Sequence, residues 1–270
     1  MYSPLLISYC NSPEDDTHPN TLNFIRTLEN NGWKYSIINR GEKWEGFISK
    51  IKGYLNYLLS LETNQIVILS DSRDVFCCRC PTQFINNFKK YDKKIVVSME
   101  LFAEGTTYYE PTKTYYQVTW IEKYWKDYNI DYTKINRKFV NSGLIAGYVS
   151  ELIKLLKWSL DNNFTDDQKA LGAYVNEFPE LIYADINAEL LHTTGAFVTC
   201  GLYDKPNQNF DSPSFSELSG LGPYFLHIPG ATHKENLPGQ NHLYNCVNSV
   251  IDICNQQHLN KLYPQYTELF

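Results

Sequence analysis

Along the first hundred residues, apolar runs that read as strands alternate with segments of helical period. Leu5 to Tyr9 is a short apolar run, followed by helical spacing near Thr21 to Asn30 and a second strand at Lys34 to Ile38. An amphipathic helix covers about Phe47 to Leu61. The run Gln65-Ile66-Val67-Ile68-Leu69-Ser70 has no polar alternation, the mark of a strand covered on both faces. A helix near Pro81 to Lys90 and a strand at Lys94 to Met99 complete the rhythm. This ordering predicts a parallel sheet with helices on both faces. Such sheets bind ligands at the carboxyl ends of their strands, so functional residues are expected just after Tyr9, Ser70 and Met99. Beyond about residue 110 the pattern loosens. Tyr108 to Tyr132 is aromatic and polar, and Gly195 to Pro223 reads as a long loop of the kind that closes over or binds a ligand. No repeat or linker divides the chain, so one domain over 1–270 is expected.

Composition narrows the function. At 270 residues the chain can bury an ample core without disulfide or metal staples. A net charge of −6 argues against a nucleic-acid partner, whose affinity rests on clustered Lys and Arg. No run approaches the ~20 apolar residues of a membrane span. The start lacks a basic region, and Leu5-Leu6-Ile7 is too short for a signal peptide. The expected location is therefore cytoplasmic by default, or the endoplasmic reticulum if the chain is delivered by other means. Cys77, Cys78 and Cys80 are too crowded for zinc arms and read as free buried thiols. The 21 tyrosines suit a sugar-binding cleft, but abundant Asn, Ile and Lys point equally to an AT-rich coding sequence. The aromatics alone therefore decide nothing.

Candidate chemistry gathers in four segments. Ser70-Asp71-Ser72-Arg73-Asp74 follows the third strand, and two carboxylates three apart in a turn suit a hard divalent cation. A helix cap or a solvated turn explains Asp-x-x-Asp as well; its place beyond the strand brings the two readings level. A cation there would neutralise a departing diphosphate, which makes a nucleotide donor the natural partner. Phe139 to Gly147 is a strand broken by Asn141-Ser142-Gly143, where glycine permits close approach of the backbone to a ligand. Thr165-Asp166-Asp167-Gln168 opens a helix with Thr165 as its N-cap, a structural role that by itself explains the acids. Phe225 to Gly230 ends a late strand in His227 and a turn, with Lys234 downstream. Taken singly, a lone histidine is usually structural and a lone lysine usually solvated.

The order of these segments is similar to that of GT-A glycosyltransferases, in particular the glycosyltransferase domain of the lysyl hydroxylase (procollagen-lysine dioxygenase) family and the related collagen glycosyltransferases. Gly41-Glu42-Lys43-Trp44-Glu45-Gly46 resembles that family's Trp-containing loop, and Val97 to Gly105 its Ser-Ala-Glu segment. The resemblance runs from about Ser8 to Lys234. It implies a GT-A, Rossmann-like α/β fold with a mixed, mostly parallel sheet and helices on both faces. The nucleotide-binding half would span about 1–110 and the donor-sugar and acceptor half about 111–270.

The resemblance also implies roles. Asp71, Asp74 and His227 would hold Mn²⁺, a metal that suits two carboxylates with an imidazole. Ser8 and Trp44 would border the nucleotide, with Ser72 and Arg73 where the family carries a Tyr near the uracil. Gly230 and Lys234 would approach the diphosphate, although the family's His-Gly-Asn-Gly is here His227-Ile228-Pro229-Gly230. Asn141, Asp166, Asp167 and Gln168 would face the donor sugar and acceptor. Glu104, with Tyr108 or Tyr109 in place of a family Trp, would contact substrate. The implied reaction is retaining transfer of a hexose from a UDP-sugar to collagen, glucose onto galactosyl-hydroxylysine being favoured, by a chain without the dioxygenase half and with a homodimer as one possible assembly. Alternatives are a hydroxylysine galactosyltransferase, a catalytically silent sugar- or collagen-binding module on the same fold, and a nucleotidyltransferase.

Overall fold

The computed structural model describes residues 3–11, 17–101, 137–193, 223–227 and 229. They build one sheet from β1 (Leu5–Tyr9), β2 (Lys34–Ile38), β3 (Ile66–Ser70), β4 (Val75–Cys77), β5 (Ile95–Leu101), β6 (Arg137–Tyr148), β7 (Ile182–Asp185), β8 (Leu191–Thr193) and β9 (Phe225–His227). The strand order is β2-β1-β3-β6-β5-β8-β9-β4, and β7 pairs with the first half of β5. The helices are α1 (Pro19–Asn30), α2 (Phe47–Leu58), α3 (Phe84–Lys89), α4 (Val149–Asp161) and α5 (Asp167–Glu177).

Side-chain alternation along the strands builds a core on each face. Ile7, Val67, Leu69 and Val97 point to one side, where Ile51 and Leu58 of α2, Leu152 and Leu155 of α4 and Leu171 and Val175 of α5 cover them. Leu6, Ile66, Ile68 and Val96 point to the other side, under Phe24 and Leu28 of α1 and Phe84 and Phe88 of α3. Aromatics anchor this second core: the Trp33 ring meets Phe225 at 4.6 Å and Phe84 at 5.4 Å, both edge-on. Part of the aromatic excess is therefore packing. This is a Rossmann-like α/β fold with a mixed, mostly parallel sheet, as the sequence implies.

Two local expectations change, and the direction of one strand is added. The first hundred residues predict a parallel sheet and the resemblance a mixed, mostly parallel one; β6 is antiparallel, between β3 and β5. Periodicity reports that β6 is buried on both faces and is blind to its direction. Nor do Asn141-Ser142-Gly143 break that strand. Val97 pairs with Ile145 and Ser98 with Asn141, so 142–144 bulge out of the β5 ladder, while Leu144 keeps its place opposite Ser70 of β3. Cys77 and Cys78 are buried thiols outside any disulfide, as expected, but Cys80 is exposed, because it lies past the end of β4.

The topology defines where a ligand belongs. The chain leaves β1 toward β2 on one side, whereas β3 stands on the other side of β1, so the connections diverge between β1 and β3. Such a switch point opens a crevice at the carboxyl ends of the strands.

The far end of the parallel set is held by Asp185, which is fully buried. Its carboxylate accepts the backbone N–H groups of Glu189 at 2.9 Å and of Leu190 and Leu191 at 2.8 Å. Burial pushes this carboxyl up to about 6, against the pull of those three donors. Asp185→Ala leaves the donors without an acceptor, and a cost of about 3 kcal/mol is expected. A thermal melt should fall by roughly 6–12 °C, and an unchanged midpoint would show that the loop is held some other way.

Candidate active site at the carboxyl ends of the strands

The turn after β3 is fixed from two directions. Asp71 N–H donates to Gly143 C=O of the β6 bulge at 2.9 Å. Three residues on, β4 pairs antiparallel with β9, with Val75 opposite His227, and this sets Asp74 beside the imidazole. His227 Nε2 then lies 3.7 Å from Asp71 Oδ2 and 3.5 Å from Asp74 Oδ1. One ligand atom from each of the three falls within 4.8 Å of the others.

This donor set fits a divalent cation. Ligand atoms sharing one ion at bonds of about 2.1 Å stand roughly 3–4.2 Å apart, and both His227 distances lie in that range. Asp71 is 34% exposed and His227 only 3%, so the cluster is buried behind and open in front. Burial alone lowers the imidazole's pKa, but Asp74 and Asp71, with Glu100 behind them, outweigh it and hold the ring above its ordinary value. Glycine is required at 143, since a Cβ there would run into the His227 ring and stand 2.8 Å from Asp71 Oδ2.

Lys50 joins this cluster to α5. Its Nζ lies 2.6 Å from Asp71 Oδ1 and 2.7 Å from Asp167 Oδ2, with only 8% of the side chain exposed. Burial works against the charge, but Asp167 and Asp71 outweigh it and hold the ammonium well above its usual range. Sequence reading missed this residue, because a lysine on an amphipathic helix reads as a solvated face. The available signal was its spacing: Lys50 stands four residues before Tyr54 and eight before Leu58, on the apolar stripe of α2.

The two acids of α5 separate. Asp166, not Thr165, is the N-cap, and its Oδ1 accepts the Lys169 N–H at 2.9 Å. Thr165 is displaced from that role because the helix begins one residue later, at Asp167. Asp167 is thereby the acid that reaches Lys50, and Gln168 sits half-buried in the same first turn. Asn141 is buried; its Nδ2 donates to Glu100 Oε2 at 3.0 Å and its Oδ1 accepts Gly143 N–H at 2.8 Å. Glu100 is a second residue the sequence reading missed as a site residue. Glu100 still belongs to β5 and is 4% exposed.

At the crevice, Ser8 closes the β1–β3 ladder opposite Ser70, fully buried, with no hydrogen-bond partner for its Oγ among the described residues. Trp44 is 44% exposed and leans on the rings of Tyr9 at 5.9 Å and Phe47 at 5.5 Å. Ser72 is buried and Arg73 half-buried in the acidic turn. Glu104, Tyr108, Tyr109, Gly230 and Lys234 lie outside the described residues.

A Rossmann-like sheet with an Asp-x-x-Asp turn and a histidine converging beyond its strands is the architecture of a GT-A glycosyltransferase. The chain belongs to the family of the PLOD GT domain, the glycosyltransferase domain of lysyl hydroxylases and collagen glycosyltransferases, whose family model matches residues 15–178. Lys50, Asp71, Asp74, Asn141, Asp166 and Asp167 fall inside that match, and His227 beyond it. No curated protein matches the chain. A crystal structure of a glycosyltransferase involved in the glycosylation of the major capsid of PBCV-1 is similar at 10% identity and a TM-score of 0.46, over 91% of this chain and 98% of that one.

Two substitutions probe the cluster. Gly143→Ala should weaken Mn²⁺ binding in calorimetry by at least about tenfold with the fold intact by circular dichroism, and unchanged binding would place the metal elsewhere. Lys50→Met leaves Asp71 and Asp167 without their shared cation. A loss of roughly 3 kcal/mol in urea unfolding is expected, and an unchanged midpoint would show that the ion pairs contribute nothing net.

Proposed function

We propose that this chain transfers a hexose from a UDP-sugar to a collagen-like polypeptide, in a divalent-metal-dependent reaction that retains the donor's α configuration. Glucose from UDP-glucose onto galactosyl-hydroxylysine is the favoured pairing. The observation that carries the reading is the meeting of Asp71, Asp74 and His227 with the Lys50–Asp167 pair at the end of one sheet. Membership of the collagen glycosyltransferase family supports the choice of acceptor.

A bound Mn²⁺ would be held by Asp71, Asp74 and His227 and would neutralise charge on the departing diphosphate. The protein's own residues do the rest. Trp44 and Tyr9 wall the crevice where the nucleoside lies, with Ser8 beneath it and Ser72 and Arg73 across from it. Gly230 and Lys234 serve the diphosphate. Lys50 remains protonated and aligns Asp71 with Asp167, so that one cation orients both the donor side and the sugar side of the site. Asp167 presents negative charge to the oxocarbenium-like centre as it develops. Asp166 holds Asp167 in place by capping α5. Asn141, held by Glu100 and the bulge, is fixed at the floor near the donor sugar, and Gln168, Glu104, Tyr108 and Tyr109 contact donor sugar or acceptor.

The test is mass spectrometry of a galactosyl-hydroxylysine collagen peptide incubated with UDP-glucose and Mn²⁺, with a chelated control. A metal-dependent gain of one hexose is expected, and Asp71→Ala or Asp74→Ala should reduce it at least about 100-fold. Full activity of either variant in metal-buffered assays would defeat the metal assignment. Consumption of UDP-glucose without a modified peptide would replace the acceptor.

A further inference from the structure

Tyr54 has a place in the fold that neither the metal cluster nor the ion pairs account for. It is buried on α2, one turn after Lys50, and its hydroxyl lies at the divergence between β1 and β3. There it donates to Ser70 C=O at 2.8 Å and accepts the Tyr9 N–H at 3.3 Å.

The strand register shows what this replaces. β1 and β3 run parallel with Leu5 opposite Val67 and Ser8 opposite Ser70. In a parallel ladder alternate residues turn their N–H to a given neighbour and donate to the carbonyl of the residue before the partner, and since Cys10 N–H donates to Ile38 C=O of β2, Tyr9 N–H faces β3. The next rung would therefore be a direct bond from Tyr9 N–H to Ser70 C=O. Two bonds in series through a hydroxyl stand where a single bond of about 2.9 Å belongs. A neutral phenol suits the position because it donates and accepts at once, so neither backbone group is left bare.

Two neighbours let the hydroxyl reach that far. Gly53 brings α2 against β1 so closely that a Cβ would stand 2.7 Å from Tyr9 Cε2. On the other side, Asp71 is fastened to β6 through Gly143 C=O, so β3 cannot shift toward β1 without disturbing the acidic turn.

We propose that the Tyr54 hydroxyl is a spacer that holds the switch-point crevice open at the width a nucleoside diphosphate needs, making Tyr54 a positioning residue for donor binding. This rests on the donor reading above. Without the hydroxyl, Tyr9 N–H and Ser70 C=O would close on each other, and Trp44, which leans on the Tyr9 ring, would move with them.

The experiment is calorimetric titration of UDP at saturating Mn²⁺, with melts and donor kinetics, for wild type, Tyr54→Phe and Leu58→Ala. Leu58 is fully buried one turn further along α2 and lies away from the crevice, so its variant reports lost packing alone. For Tyr54→Phe, UDP affinity and the donor KM should worsen roughly fivefold to tenfold, because the direct Tyr9–Ser70 bond has to be broken to reopen the crevice, and one net hydrogen bond is worth about that factor. Its kcat at saturating donor should stay within about twofold, and Leu58→Ala should lower the melting temperature at least as far while keeping wild-type UDP affinity. UDP affinity of Tyr54→Phe within twofold of wild type would overturn the spacer, as would an equal loss in Leu58→Ala. A wild-type protein that binds no UDP would remove the donor reading, and this inference with it.

Discussion

Like charges gathered at one end of a buried sheet repel one another, and the carboxyl ends of these strands gather four carboxylates. Asp71, Asp74 and Glu100 all act on His227, and Asp167 stands across Lys50 from Asp71. Lys50 is the cation that makes this tolerable, because a buried ammonium with two carboxylates within hydrogen-bond reach offsets a large part of the repulsion. It also costs desolvation to place it there. Only a helix packed tightly on the sheet can deliver the charge while keeping water out, and α2 does so through Gly53 and the apolar stripe of Ile51, Tyr54 and Leu58. The site and the core thus share one helix.

The backbone meets the same constraint in a second way. β6 reaches the acidic turn through its ladder with β3, where Leu144 stands opposite Ser70 and the next residue, Gly143, offers its carbonyl to Asp71 N–H. On the β5 side 142–144 bulge out, and the missing side chain at 143 clears space for the His227 ring. Asn141 then ties the bulge to Glu100, so the floor of the site is one connected set of hydrogen bonds. Bulges beside active sites commonly re-aim side chains in this manner. Here the bulge makes room for one.

Legibility in the sequence follows from which physics leaves a local trace. Strand and helix periods, the acidic turn and the Asn-Ser-Gly stretch are local, and their order was enough to indicate the family and to bring Asp71, Asp74 and His227 together across more than 150 residues. Strand direction leaves no local trace, so the direction of β6 cannot be read until its neighbours are known. Lys50 was hidden by its residue type, although its spacing from Tyr54 was visible. Glu100 was hidden by register, since whether an acid at the end of an apolar run lies inside the strand or beyond it depends on pairing with Phe139. The N-cap moved by one residue because Thr and Asp are nearly equivalent caps, and the choice belongs to where Asp167 must point.

Charge also constrains the order of events. With four carboxylates facing one ammonium and an imidazole, the cluster by itself repels a diphosphate, however well the crevice is shaped. On the proposed reading, a divalent cation at Asp71, Asp74 and His227 would reverse that local field. Nucleotide and metal affinities would then be positively coupled, each raising the other by the same factor. The Lys50 pairs keep this dependence strong, because they bind the ammonium to Asp71 and Asp167 and leave it poorly placed to turn toward phosphate. A lysine free to do so would weaken the requirement for metal. Held between two acids, it aligns the carboxylates, and on the proposed reading the neutralisation of the donor would fall to the cation.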